Sequence, residues 1–158
     1  MFPPKKTYTV EEALVKLQKY CSYQDRCHKE VDQKLKEIQM IPQASEQIIW
    51  KLIEGNFLNE ERFAMAYVRG KFRIKKWGKR RLVSELKKRQ ISKYIINKAL
   101  NQISEDDYKA TFETLAERKA TSILGSSKLK KKKKLADYLL YRGWESHLVY
   151  EKVNQLFN

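Results

Sequence analysis

The chain has little of the material that tight turns, disulfide frameworks and membrane spans require. Its 158 residues include five glycines, three prolines and two cysteines. So few turn-forming residues argue against a protein of many strands, and the spacing of Cys21 and Cys27 fits neither a disulfide framework nor a paired metal-ligand motif. Apolar runs fall short of the ~18 residues that cross a bilayer, and the segment from Met1 to Lys6 lacks the apolar stretch of a secretory signal. We therefore expect a soluble, cytoplasmic, helical protein.

The motifs of common enzymes are also missing. The sequence contains no glycine-rich phosphate loop, zinc quartet or nucleophile elbow. Of the two histidines, His28 has only the adjacent Cys27 as a candidate co-ligand, which is too few for a metal site. We predict no catalytic residue, no metal and no cofactor. A helical nuclease is the alternative from the enzyme class, and it is disfavoured because the basic region contains only three acidic residues, which are Glu60, Glu61 and Glu85.

Positive charge is what the chain has in excess, and most of it lies in the middle third. The 34 basic and 19 acidic residues give a formal net charge of +15. Residues 1–58 carry 9 basic and 8 acidic residues, residues 59–103 carry 14 and 3, and residues 104–158 carry 11 and 8. A localised positive field attracts a polyanion or an acidic protein face. The separate run Lys130–Lys134 predicts a mobile loop, a helix start that orders against a negative surface, or a solvated run without a role.

Apolar spacing and capping residues predict about nine helices. Thr9 and Glu12 have the spacing of a capping box, and Gly55 is placed to end a helix. Asn59, Ser92 and Ser104 each precede an apolar stripe at helical spacing, as N-cap residues do.

The helical pattern recurs three times, at intervals of roughly 45–50 residues. Each repeat has a leucine, then an apolar residue at a turn, then an apolar pair: Leu35, Ile41 and Ile48-Ile49; Leu86, Ile91 and Ile95-Ile96; Leu139, Trp144 and Leu148-Val149. We therefore predict an all-α tandem array of three helix-turn-helix-like three-helix units, elongated or curved. The expected divisions are a tail over 1–8, unit 1 over 9–58, the basic unit 2 over 59–103, and unit 3 over 104–158 with a Lys-rich loop at 128–134.

Unit 2 is predicted to carry the binding surface. On a continuous helix, Arg69, Arg73 and Lys76 share one face at i, i+4 and i+7, and like charges in this arrangement cost stability unless a negative partner relieves them. Trp77 is either a packing anchor or a base-stacking platform among the cations. The predicted contact residues for DNA or a protein partner are Arg69, Arg73, Lys75, Lys76, Trp77, Lys79, Arg80, Arg81, Lys87 and Lys88.

The middle of the chain resembles the RecX family of recombination regulators. The run Gly55-Asn56-Phe57-Leu58-Asn59-Glu60-Glu61-Arg62-Phe63-Ala64 is similar to one family signature, and Lys76-Trp77-Gly78-Lys79-Arg80-Arg81-Leu82 to a second, followed by Ser84-Glu85-Leu86. Lys79 departs from a common proline and Gln90 from a common glycine. The family-motif positions that the resemblance marks as structural are Gly55, Leu58, Arg62, Phe63, Ala64, Gly78 and Leu86.

The resemblance implies a non-enzymatic modulator of the RecA recombinase in recombination and DNA repair. Members of this family bind the RecA–single-stranded DNA filament and inhibit its ATPase, strand-exchange and co-protease activities. The expected partners are therefore this filament and single-stranded DNA, with double-stranded DNA left open, and the expected state is a monomer with no membrane partner. The first alternative is a general DNA-binding protein using helix-turn-helix-like basic units. Association of the basic helices with anionic membrane surfaces is a third hypothesis.

Overall fold

The protein is described by a computed structural model over residues 6–125 and 127–158, and the regular structure of these residues is helical throughout. The elements are α1 (Val10–Tyr23), α2 (His28–Glu37), α3 (Pro42–Glu54), α4 (Glu60–Gly70), a π-helical turn (Lys71–Lys75), α5 (Lys79–Lys88), α6 (Lys93–Leu100), α7 (Glu105–Ser122), α8 (Lys128–Tyr141) and α9 (Ser146–Leu156). The predicted all-α array of nine helices is confirmed for the described residues. Of the predicted tail, residues 1–5 lie outside them, and residues 6–8 are not helical.

The helices begin where the capping residues predict. The Thr9 hydroxyl accepts a hydrogen bond from the Glu12 amide at 3.1 Å, and the Glu12 carboxylate accepts one from the Thr9 amide at 3.0 Å, which completes a capping box. The Asn59 side chain accepts from the amide of Arg62 at 2.9 Å. Ser92 and Ser104 cap α6 and α7 in the same way. Local hydrogen bonding therefore fixes the starts of these helices.

The middle helix of each unit ends with the same hydrogen bond, and this bond defines the register of the repeat. The carbonyls of the three buried leucines accept amide hydrogen bonds at 3.0, 3.1 and 3.2 Å: Leu35 from Met40, Leu86 from Ile91 and Leu139 from Trp144. The residue before each donor has a left-handed backbone: Gln39 (φ 63°), Gln90 (φ 59°) and Gly143 (φ 90°). This geometry is that of the Schellman motif.

Two parts of the predicted repeat alignment are wrong in unit 1. Met40, not Ile41, is equivalent to Ile91, because it makes the equivalent hydrogen bond. Ile41 is the N-cap of α3 and is 63% exposed. In the same register Ser45 is level with the buried Ile96, so the predicted pair Ile48-Ile49 lies about one helical turn too far along.

The apolar side chains form two separate cores. Unit 1, made of α1 to α3, encloses its own cluster: Ala13, Leu17, Cys21, Val31, Leu35, Ile48, Leu52 and Leu58. Units 2 and 3, made of α4 to α6 and α7 to α9, share one continuous cluster that extends from Phe63 to Val153. Trp144, with no exposed surface, lies in this shared cluster at 6.5 Å from Phe72 between ring centroids. Units 2 and 3 therefore form one packed body, onto which unit 1 is joined.

The contact between unit 1 and unit 2 is mainly polar. The Arg62 guanidinium is 2.6 Å from the Asp25 carboxylate and also donates to the carbonyls of Asn56 and Phe57. The buried side chain of Cys27 is the apolar element of this contact, because it packs in the core of units 2 and 3. Burial raises the pKa of the Cys27 thiol to about 11.

The predicted Lys-rich loop at 128–134 is wrong, because α8 begins at Lys128. The Ser127 hydroxyl caps this helix by accepting from the Lys130 amide at 3.3 Å. Further along, α8 places Leu135, Ala136 and Leu139 in the shared core. This apolar burial outweighs the unfavourable placement of cations at the positive end of the helix dipole.

A candidate partner-binding surface on unit 2

The basic segment does not follow one straight helix. Regular α-helix ends at Gly70, and Lys71–Lys75 form a π-helical turn that closes at Lys76 with a left-handed backbone (φ 58°). The predicted common face of Arg69, Arg73 and Lys76 at α-helical spacing is therefore wrong. A π-turn holds more residues than an α-turn, which changes the direction of every side chain after it.

The surface is strongly cationic and faces solvent. Seven of the predicted contact residues are exposed: Arg69, Arg73, Lys75, Lys76, Arg80, Lys87 and Lys88. Arg73, Lys75 and Lys76 lie together on the π-turn and the residue after it. Between them Ile74 is 77% exposed, so this segment combines an apolar side chain with three cations.

Arg69 is exposed on α4, and the other three cations of this exposed set lie on α5. Arg80, Lys87 and Lys88 border a shallow depression of about 690 Å³, whose other lining residues are Lys79, Val83 and Ser84. Four cations around one depression attract an anionic group. The two groups together make up the candidate binding surface.

Glu85, the acidic residue between these cations, is neutralised within α5. Its carboxylate is 3.3 Å from the Lys88 ammonium and 3.1 Å from the Arg89 guanidinium. Burial raises the pKa of Glu85, but the hydrogen bonds from Arg89 and Lys88 outweigh it, so that the pKa lies below its ordinary value. Glu85 therefore remains ionised at neutral pH and offsets part of the charge of Lys88 and Arg89. Arg80 and Lys87 are the exposed cations of α5 outside this cluster.

Three predicted contact residues are half-buried at the junction of units 2 and 3. The Arg81 guanidinium lies between two rings, 4.2 Å from the Trp77 centroid and 4.7 Å from that of Tyr141, and donates to the Tyr141 carbonyl at 3.2 Å. The Lys79 ammonium is 4.6 Å from the Tyr108 ring. Trp77, Lys79 and Arg81 are thus held by contacts within the chain.

The first residues of α5 are capped by unit 3. The amide of Gly78 donates to the Arg142 carbonyl at 2.8 Å, and that of Arg80 to the Gly143 carbonyl at 3.0 Å. The Lys79 amide donates to the Tyr108 hydroxyl at 2.9 Å, and this hydroxyl donates to Glu145. Backbone groups that a helix start leaves unpaired are therefore satisfied across the unit boundary, which fixes the direction of α5.

The family-motif positions are part of the framework. Leu58, Phe63, Ala64 and Leu86 are buried, Gly55 is the C-cap of α3, and Arg62 joins units 1 and 2. At Gly78 an added Cβ would lie 2.5 Å from the Gly143 carbonyl oxygen. Gly78 therefore permits the close approach of the two units.

Sequence reasoning missed the unit 3 side of the junction. Tyr108 and Glu145, which meet the start of α5, lie 37 residues apart and share no recognisable spacing. Gly143 does indicate a turn at this position, since glycine after a helix is typical of a helix C-terminus. Tyr141 carried no signal, because its exposure of 73% depends on how α8 packs.

Within residues 6–125 and 127–158, no group of three or more His, Cys, Asp or Glu side chains is arranged to hold a metal ion. In the same part of the chain, no helix combines the length and apolar composition that crossing a membrane requires.

Comparisons with known proteins agree with this architecture. Two family models match the chain: "RecX, second three-helix domain" over residues 59–100 and "RecX, third three-helix domain" over residues 105–153. A regulatory protein RecX of Yersinia enterocolitica is 33% identical over 117 residues, which are 74% of this chain and 66% of that protein. One of Bacillus cytotoxicus is 26% identical over 140 residues, which are 89% of this chain and 52% of that protein. The chain thus spans about half to two thirds of these relatives.

Solved structures give the same result for the fold. The crystal structure of RecX from Lactobacillus salivarius superposes with a TM-score of 0.79 at 26% identity and covers 93% of this chain and 96% of that one. A second crystal structure, of a regulatory protein RecX, superposes with a TM-score of 0.82 over 92% of this chain and 73% of that one; at 24% identity it supports the fold alone.

Proposed function

Because the chain belongs to the RecX family of regulatory proteins, we propose that it binds the filament of the RecA recombinase on single-stranded DNA and restrains its ATPase, strand-exchange and co-protease activities. The observation that carries this proposal is the set of exposed cations on unit 2. A nucleoprotein filament presents phosphates and acidic protein side chains along its length, and either would pair with this surface. The action proposed is binding, with no bond-making step.

The distribution of the cations supports multivalent binding, in which several weak contacts act together. Arg73, Lys75 and Lys76 are exposed on the π-turn and just after it, while Arg80 and Lys87 are exposed on α5. Single exposed ion pairs contribute little, typically below about 1 kcal/mol. Several engaged together raise the overall affinity without a dominant contact. In this proposal units 1 and 3 extend the contact to neighbouring recombinase protomers.

Charge reversal on unit 2 tests the proposal. We expect the triple variant Arg73→Glu, Lys76→Glu, Arg80→Glu to keep its helical circular dichroism signal, because all three side chains are exposed. Its inhibition of the recombinase ATPase on single-stranded DNA should weaken by roughly tenfold or more, since three attractive contacts become repulsive. The measurement is the concentration for half-maximal inhibition.

A matched variant separates this surface from total charge. Lys19, Lys51 and Lys109 are also exposed but lie in units 1 and 3, and reversing all three changes the net charge by the same amount. We expect this control to inhibit more strongly than the unit 2 variant, because its three side chains lie outside the candidate binding surface. Equal inhibition by the unit 2 variant and the unaltered protein would refute the assigned surface.

The second candidate function, general DNA binding, is favoured by the depression on α5, where four cations surround Ser84. Binding to free DNA through phosphates should weaken steeply with salt, with a logarithmic slope of about −0.7 to −0.9 per contact. A salt series with single- and double-stranded DNA, with and without the recombinase, distinguishes the two. The filament proposal requires much tighter binding when the recombinase is present.

A further inference from the structure

Cations and aromatic rings alternate from unit 2 into unit 3. Successive distances from cation to ring centroid are 4.9, 5.6, 5.2, 4.2 and 4.7 Å along the series Arg89, Tyr67, Lys71, Trp77, Arg81 and Tyr141. Cation–π contacts of this kind hold each ring in a defined orientation. The series crosses from unit 2 to unit 3 between Arg81 and Tyr141. Unit 3 therefore supplies the last ring of the series, that of Tyr141.

Tyr141 is the ring that this series presents to solvent. Trp77, the ring predicted from sequence as a candidate stacking platform, is half-buried and contacts Lys71, Arg81 and Tyr67. It therefore serves as a packing anchor. Tyr141, by contrast, is 73% exposed although Arg81 lies against its ring. An exposed ring that is already oriented loses little freedom when a second planar group stacks on it.

A depression of about 760 Å³ adjoins Tyr141, between the C-terminal end of α7 and the side of α8. Its lining includes the cations Lys119, Lys134 and Arg142. The ring of a second tyrosine, Tyr138, lies between two of them, 3.7 Å from the Arg142 guanidinium and 4.7 Å from the Lys119 ammonium. The depression thus combines aromatic surface with positive charge.

The carboxylate in this lining is already paired. The Asp137 carboxylate lies 2.8 Å from the Lys133 ammonium, and both side chains are exposed. The three lining cations therefore outweigh it, and the depression favours an anionic group beside the Tyr141 ring.

We propose that Tyr141 stacks on an unpaired base of single-stranded nucleic acid, with the neighbouring phosphates held by Lys119, Lys134 and Arg142. The inference rests on the proposed function, to which it adds a base-contacting residue and a path across unit 3. An acidic peptide would neutralise the cations but would leave the tyrosine ring in water. In a duplex the bases are already paired and stacked, so an intact double helix offers this ring no face.

Binding to strands with and without bases tests the stacking contact directly. The probes are a fluorescent oligothymidylate of about 20 nucleotides and an abasic strand of the same length, which keeps the phosphates. We expect the unaltered protein to prefer the strand that carries bases by about 5- to 100-fold. The Tyr141→Ala and Tyr141→Leu variants should bind both strands about equally, while Tyr141→Phe should keep the preference because it keeps the ring.

Tyr94→Ala is the matched control, because Tyr94 on α6 is 72% exposed and lies outside the series. It should behave like the unaltered protein. The inference is overturned if the unaltered protein fails to bind the oligothymidylate at low salt, binds the abasic strand equally well, or loses nothing on Tyr141→Ala. It is also overturned if Tyr141→Ala weakens binding to the recombinase filament alone, which would assign the ring to a protein contact.

The outcome is separable from that of the proposed function. Recombinase ATPase inhibition that depends on the unit 2 cations, together with no preference for bases, retains the regulatory proposal and rejects the stacking contact. A preference for bases that depends on Tyr141, without any inhibition, does the reverse.

Discussion

Gly78 and Gly143 determine how closely the loop before α5 approaches the turn after α8. A Cβ on Gly78 would lie 2.5 Å from the carbonyl oxygen of Gly143 and 2.7 Å from the Cα of Trp144. A Cβ on Gly143 would collide with the backbone of Arg81, and the left-handed φ of 90° at Gly143 disfavours other residues. The hydrogen bonds that cap α5 depend on this approach, so these two glycines control the orientation of the proposed surface.

The Gly78→Ala variant should therefore be destabilised by about 1–3 kcal/mol, because backbone atoms cannot move aside as a flexible side chain does. Urea unfolding monitored by circular dichroism gives the free energy of unfolding. Gly70→Ala is the control, since no neighbouring atom lies within 4 Å of the added methyl; it should be neutral or stabilising by up to about 1 kcal/mol. Equal stability of the two variants would contradict the close approach.

Tyr108 makes the junction sensitive to alkaline pH. Burial, together with the hydrogen bond to Glu145, raises the pKa of Tyr108 above its ordinary value. Its neutral hydroxyl donates to Glu145 and accepts from the Lys79 amide. The folded protein therefore holds this proton more tightly than the unfolded chain, in which the pKa of tyrosine is about 10. The resulting stabilisation is complete below pH ~10 and is lost as the pH rises above that value.

We expect Tyr108→Phe to cost about 1–2 kcal/mol at pH 7, because the Lys79 amide loses its acceptor. The difference from the unaltered protein should shrink as the pH rises above about 10, since phenylalanine has no proton to lose. Urea unfolding at pH 7 and at higher pH measures this. Tyr94→Phe, at a position 72% exposed, should show no such change. A difference that stays constant with pH would argue against the tyrosine as its source.

At the scale of elements, local patterns predicted the helix starts and missed what depends on packing. Thr9, Asn59, Ser92 and Ser104 act as N-caps because their bonding partner is three residues away. The π-helical turn could not be predicted in this way. After the turn, Trp77 packs against Tyr67 with 6.3 Å between the ring centroids, and residue spacing alone does not predict this contact. The exposed cations could be predicted from charge, but the inward direction of Arg81 could not.

The N-terminal turns of α8 are electrostatically unfavourable and should be easy to stabilise. Lys130 is exposed and lies in the first turn after the N-cap Ser127, where the helix dipole favours a negative side chain. We expect Lys130→Glu to stabilise the protein by about 0.5 kcal/mol. Lys133→Glu should bring no gain, because it replaces the 2.8 Å ion pair with Asp137 by a repulsion. Thermal unfolding of both variants at low ionic strength compares them, and a gain from both would show that net charge alone is responsible.

At the scale of the whole molecule, the repeat pattern predicted the number of units but not how they pair. Unit 1 buries its own leucines, whereas Phe72 of unit 2 packs against Tyr108 of unit 3 with ring centroids 6.0 Å apart. The helices of all three units are amphipathic with the same spacing of apolar residues. This spacing therefore does not show which units share a core. Trp144 is the clearest example: its indole nitrogen donates to the Lys76 carbonyl at 3.1 Å, across 68 positions of sequence.

The two cores predict different outcomes for two truncations. A fragment of residues 59–158 keeps the shared core and loses the Cys27 contact and the polar contacts with unit 1, which involve Arg62, Glu60 and the Lys88 carbonyl. We expect it to unfold in one cooperative urea transition, about 1–2 kcal/mol less stable than these units in the whole chain.

A fragment of residues 1–103 keeps unit 1 but exposes Phe72 and the other apolar side chains that unit 3 covers. Its unit 2 should lose cooperative structure and bind the dye ANS, as loosely packed states do. The contrary result would be a cooperatively folded fragment 1–103 and a disordered fragment 59–158. It would mean that units 2 and 3 are more weakly coupled than units 1 and 2.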